Sequence, residues 1–122
     1  VEDDHTIRKL KGFGELHGWG RIIVGNLFAY RTKDVRKLAD VADPVGEDND
    51  YWLSRMLGTG CRVICAWGPR AKMPKALRGR ADHVLGMISM SGVPAYRIGA
   101  PVADGGPRHP LMAAYTLPIE PL

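Results

Sequence analysis

Two short runs in this chain, Ile22-Ile23-Val24 and Val63-Ile64-Cys65-Ala66, are apolar at every position, and each lies between nearby glycines. Successive side chains of a strand point to opposite faces, so a strand that is apolar throughout has to be covered on both sides. Sheets covered on both sides are built by helices that cross over between parallel strands. The two runs therefore point to an α/β domain before any other feature is considered.

The surrounding pattern supplies the helices. Asp3-Asp4-His5-Thr6 offers capping oxygens, and Ile7, Leu10, Phe13 and Leu16 follow at three-residue spacing, which predicts a helix over residues 4 to 17. Gly18 and Gly20 break it, and Arg21 to Tyr30 is predicted as a central, parallel strand. Lys33 to Val41 has helical composition and stops before Asp43-Pro44, because a residue preceding proline is pushed out of helical geometry. A further helix is expected from Glu47 or Asp48 to Leu57, its acidic first turn complementing the helix dipole.

Arg62 to Trp67 is then the second buried strand, Lys72 to Arg80 a short basic helix, and His83 to Ile88 a third strand. Ser89 to Pro107 is rich in Gly, Pro and Ser and reads as a long loop with room for a short hairpin. The fold class expected is α/β, with an open, mostly parallel sheet flanked by helices.

At 122 residues the chain suffices for one such domain, residues 1–122, and is short for two. Apolar residues at 45% and charged residues at 25% match a soluble globular protein, and no apolar run approaches the roughly 20 residues that span a bilayer. A cytoplasmic protein with no membrane partner is expected. Cys61 and Cys65 fall in the segment Cys61 to Trp67 that contains the second buried strand, where they read as buried structural thiols. His83 is the nearest histidine and stands alone, so neither a metal site nor a cofactor is expected.

Charge is segregated. Asp40, Asp43, Glu47, Asp48 and Asp50 form an acidic block, whereas Trp52 to Ala81 contains no acidic residue and carries Arg55, Arg62, Arg70, Lys72, Lys75, Arg78 and Arg80. Such a stretch suits a phosphate-bearing partner, a nucleic acid or a nucleotide, because Lys and Arg neutralise phosphates irrespective of base sequence. A solvated basic surface accounts for it equally well.

In open α/β sheets, ligands collect beyond the carboxyl ends of the strands. That rule selects Asn26 with Phe28, the Trp67-Gly68-Pro69 segment, and Arg108-His109-Pro110. The Asn26 carboxamide offers a donor and an acceptor that match the edge of a base; serving the neighbouring backbone is the alternative. Neutral His109, its direction restricted by Pro110, is suited to donate to an anion developing on a ring carbonyl; an ordinary surface histidine is the alternative. Asp3, Asp4 and His5 offer acid–base groups, and the two aspartates also explain themselves as a helix cap.

Three segments taken together resemble the bacterial and phage domain-of-unknown-function family 1643: Gly18-Trp19-Gly20 through Arg31, Ala42-Asp43-Pro44-Val45-Gly46 leading to Asn49-Asp50, and Gly106-Pro107-Arg108-His109-Pro110-Leu111. That family in turn resembles the uracil-DNA glycosylase superfamily. Ile23-Val24-Gly25-Asn26 is similar to the strand whose asparagine reads the base, Val63 to Gly68 to the strand ending in Trp-Gly, and Arg108 to Leu111 to the His-Pro motif.

The resemblance implies a base-binding set of Asn26, Phe28, Trp67, Gly68 and Arg108, with His109 facing the ring oxygen and Asp3 or Asp4 as the remaining catalytic candidates. Arg70, Lys72, Lys75, Arg78 and Arg80 would face phosphate. Members of the family open with a strand and an Asn-Pro-Ser-Thr-Ala segment ahead of the paired aspartates, whereas here Val1 directly precedes Glu2-Asp3-Asp4. The expectation is an N-terminally truncated domain, lacking its first strand, that binds a nucleobase or nucleotide without robust catalysis. An active base-excision or nucleotide-processing enzyme is the alternative, and a structural or interaction protein the third. The base and the oligomeric state are left open.

Overall fold

The fold is that of a computed structural model, which describes residues 5–30 and 35–122. Among these residues three α-helices and a small three-stranded mixed sheet give an α/β architecture: α1 His5–His17, α2 Asn49–Leu57, β1 Val63–Cys65, α3 Gly79–Ser91, β2 Ala95–Ile98 and β3 Ile119–Pro121. Short 3-10 turns lie at Val35–Asp40, Arg70–Lys72, Lys75–Leu77 and Pro110–Met112. No helix among the described residues is long and apolar enough to cross a membrane.

The sheet order is β1-β2-β3. β1 and β2 are parallel, with Val63 opposite Ala95 and Cys65 opposite Arg97, and β3 closes antiparallel on β2, with Arg97 opposite Glu120. The sheet is thus mixed, where a mostly parallel one is expected from the pattern.

The alternation of β1 separates two apolar clusters. Val63, Cys65 and Trp67 pack with Leu27, Met73, Ala81, Val84 and Ile88, the last three from α3. Ile64 and Ala66 pack instead with Phe13 of α1, Ile98 and Ala113. β1 is therefore covered on both faces, as its all-apolar sequence requires. The predicted α1 and α2 are also present, and fully buried Phe13 anchors α1.

Several expectations are corrected. Arg21 to Tyr30 forms no strand, and Ile22, Ile23 and Val24 are exposed. No ladder partner lies beside this segment among the described residues. The Asn26 and Leu27 carbonyls are taken by side chains and the later N–H groups by a neighbouring turn: Ala29 N–H donates to Val45 and Tyr30 N–H to Pro44. His83 to Ile88 is helix, the middle of α3, because Ala81, Val84 and Ile88 recur at helical spacing and are buried together.

The parallel partner of β1 comes instead from the stretch expected to be loop, as β2 at Ala95–Ile98. The basic helix Lys72 to Arg80 is two separate 3-10 turns, with Arg80 belonging to α3. Of the helix expected over Lys33 to Val41, residues 33 and 34 lie outside the described residues and the described part forms a 3-10 turn, Val35–Asp40. Cys65 is buried as expected, but Cys61 precedes β1 and is exposed.

Candidate functional site

Because β1 and β2 are parallel neighbours, the segments that leave Cys65 and Ile98 emerge at the same edge of the sheet. Two features join them there. Gly68 N–H donates to the Pro107 carbonyl at 2.8 Å. Asp104 spans the gap, one carboxylate oxygen accepting from Ala71 N–H and the other from Gly106 N–H, both at 3.0 Å. Those two N–H groups, helped by the positive charge of Arg70, hold the Asp104 carboxyl below the ordinary carboxylate range.

Close approach makes glycine necessary at this junction. Gly68 has φ +88°, a region other residues rarely adopt, and a Cβ there would lie 3.3 Å from the Cβ of His109. A Cβ on Gly106 would lie 2.5 Å from the Gly68 carbonyl oxygen. The Trp67-Gly68 turn and the Arg108-His109 turn are thus in direct contact.

His109 caps the 3-10 turn that follows it: its Nδ1 accepts from Leu111 N–H at 3.2 Å. An accepting Nδ1 carries its lone pair, so the neutral ring bears its proton on Nε2, which makes Nε2 a donor. Arg108 reaches the Ala100 carbonyl only at 3.5 Å, and its Nε is buried without a hydrogen-bond partner.

Asn26 lies on the irregular segment and is exposed. The Asn49 carboxamide, at the start of α2, donates to the carbonyls of Asn26 at 3.0 Å and Leu27 at 3.1 Å. Arg80 Nε donates to the same Leu27 carbonyl at 2.7 Å. Leu27 is buried in the cluster against which Phe28 and Trp67 both pack, so the Asn26 segment and the end of β1 share one apolar core.

The basic residues divide by role. Lys72 and Lys75 are exposed, and Arg70 pairs loosely with Asp82 at 3.4 Å. Arg78 donates to the Met73 and Ala71 carbonyls, tying down its own loop. Arg80 is buried and ion-paired with Asp50 at 2.6 Å, so it is an internal tie and not a phosphate-facing residue. Asp3 and Asp4 lie outside the described residues.

Sequence reasoning missed Asp104, Asn49 and Asp50. The Asp104-Gly105-Gly106 turn signature offered a signal for the first; Asn49 and Asp50 stand in a segment that carries the family resemblance, but no site role was read for them. No group of three or more His, Cys, Asp or Glu among the described residues is arranged to hold a metal ion.

A family model described as a protein of unknown function (DUF1643) matches residues 1–111. No curated protein and no solved structure matches the chain.

Proposed function

Because the chain belongs to the DUF1643 family, whose description carries no activity, its chemistry has to be read from the strand-end site, and we propose that this site binds a nucleobase or nucleotide. The observation that carries the reading is the contact of Gly68 with His109, which packs the Trp-Gly turn against the Arg-His-Pro turn. In this reading the domain is a remote, uracil-DNA glycosylase-like one, and the residues take the roles that resemblance implies.

His109 Nε2 donates to a carbonyl oxygen of the ring, a role supported by the Leu111 N–H that occupies Nδ1. The Asn26 carboxamide reads the edge of the base with its donor and acceptor. Phe28 and Trp67 supply apolar surface to the face of the ring, and Arg108 stands beside His109. Phosphate contact falls to Lys72, Lys75 and Arg70, the basic residues not committed to internal ties.

The test is calorimetric titration of the 122-residue chain with UMP, dTMP, CMP, AMP and GMP, and with a uracil-containing single strand, beside Asn26→Ala and His109→Ala. Saturable binding weakened by both substitutions is expected. Binding that ignores both would overturn the assignment. Free base released in the same mixtures, and lost in both variants, would make the site an excising enzyme.

A further inference from the structure

We propose that Arg80 is a positioning residue, which with Asn49 clamps the Asn26–Leu27 backbone from beneath and so fixes the direction in which Asn26 meets a ligand. The proposal rests on the base-reading role given to Asn26 above.

The Leu27 carbonyl receives two side-chain donors, one from the start of α2 and one from the start of α3: Asn49 Nδ2 at 3.1 Å and Arg80 Nε at 2.7 Å. Asn49 Nδ2 also reaches the Asn26 carbonyl. In a sheet, ladder bonds would hold these carbonyls, but this segment is irregular. Two helices therefore replace a neighbouring strand as the rigid support.

Arg80 is an expensive way to fill this space if packing were its only role. Its side chain is 7% exposed, and an apolar side chain of similar volume avoids the desolvation of a guanidinium. Its Nη2 is buried without an acceptor, so it is not held there by a complete set of hydrogen bonds. What the planar fork supplies is direction. Nε points at Leu27, while Nη1 faces Asp50 at 2.6 Å. Asp50 is oriented in turn by His83 Nε2 at 3.1 Å. The arrangement runs from exposed His83 through Asp50 and Arg80 to the residue beside Asn26.

The experiment follows the Leu27 carbonyl carbon and the Asn26 carboxamide by NMR in the wild type, Arg80→Met, Arg80→Lys and Asn49→Ala, with titration of the five mononucleotides named above. Expected are displaced Leu27 and Asn26 signals in Arg80→Met and Asn49→Ala. Nucleotide affinity should fall by about tenfold in each, the size of one lost hydrogen bond, with partial recovery in Arg80→Lys. Signals that stay in place in a folded Arg80→Met protein overturn the clamp, as does unchanged affinity where the signals move. If Arg80→Met does not fold, Asn49→Ala decides by the same criteria. A wild type that binds no nucleotide while the variant signals move sinks the base-reading role and leaves the clamp standing.

Discussion

Gly68 meets His109 so closely that a single added methyl group on the glycine would lie 3.3 Å from the histidine Cβ, and the same glycine donates its N–H to Pro107, two residues ahead of that histidine. The two strand-end turns are therefore one mechanical unit, and a change in either reaches the other.

Gly68→Ala tests this coupling. The φ of +88° costs an L-residue about 1–2 kcal/mol, and relief of the contact has to displace His109. A lower melting temperature and weaker nucleotide binding are expected together. Gly106→Ala is expected to be more damaging, since its Cβ would press on the Gly68 backbone carbonyl and not on a side chain that can turn.

Asp50 links stability to pH. Burial alone would raise its carboxyl, but the guanidinium of Arg80 and the ring of His83 outweigh that, and the net displacement is downward. A carboxyl lowered on folding contributes stability that is fully present above its unfolded value and is lost as pH falls through the folded one. Melting curves of the wild type and Asp50→Asn should differ at neutral pH and converge below the ordinary carboxylate range. Asp50 is 47% exposed, so solvent screens the pair and a difference of about 1 kcal/mol is expected. Parallel curves at all pH values would remove Asp50 from the account.

What was legible in the sequence, and what was not, follows from the range of the interactions involved. α1 shows in the stripe through Ile7, Leu10 and Phe13, and β1 shows in a run apolar on both faces, because both signals are local. β2 was hidden. It is four residues long and carries Arg97, whose charge is matched by Glu120 on β3, with Nε and Nη2 at 3.1 and 3.0 Å from Oε1. Only the register of the folded sheet reveals that partner.

α3 was misread for a different reason. The fragment His83 to Ile88 is too short for periodicity to separate a buried strand from a helix, and the decisive Ala81 lies outside it. Of the site, the Trp67-Gly68 and His109-Pro110 turns were readable as motifs. The Asn49 and Arg80 support of Asn26 joins residues too distant in sequence to leave a local trace.

The thiols should separate cleanly. Burial pushes the Cys65 thiol up to about 11, which keeps it protonated and unreactive near neutrality, while Cys61 is exposed. Iodoacetamide applied to the native protein is expected to modify Cys61 alone, with Cys65 reacting only after denaturation. Modification of Cys65 in the native state would mean that the cluster around Leu27, Met73 and Val84 opens readily.

Nucleic-acid binding, where it occurs, should draw on the exposed lysines. Replacing Lys72 and Lys75 by Glu is expected to flatten the dependence of affinity for single-stranded DNA on salt by about two counterions. Arg80→Met should leave that slope unchanged, because Arg80 is buried. Equal loss of slope in both would reject the division of basic residues into surface and internal groups.

The parallel pairing of β1 with β2 has a kinetic consequence. No tight turn can zip these strands together, since the chain from Cys65 to Ala95 has to cross over the sheet and carries α3 on the way. Closing that loop costs entropy before the first ladder bond forms, and a crossover already wound into helix has less freedom left to lose. Refolding speed should then depend on how firmly α3 forms by itself. Gly86 lies within α3, and nothing among the described residues comes within 4 Å of a Cβ placed there. Gly86→Ala, which favours helix by about 0.5–1 kcal/mol, is expected to hasten refolding in stopped-flow measurements and to slow unfolding much less, the signature of a segment already formed at the barrier.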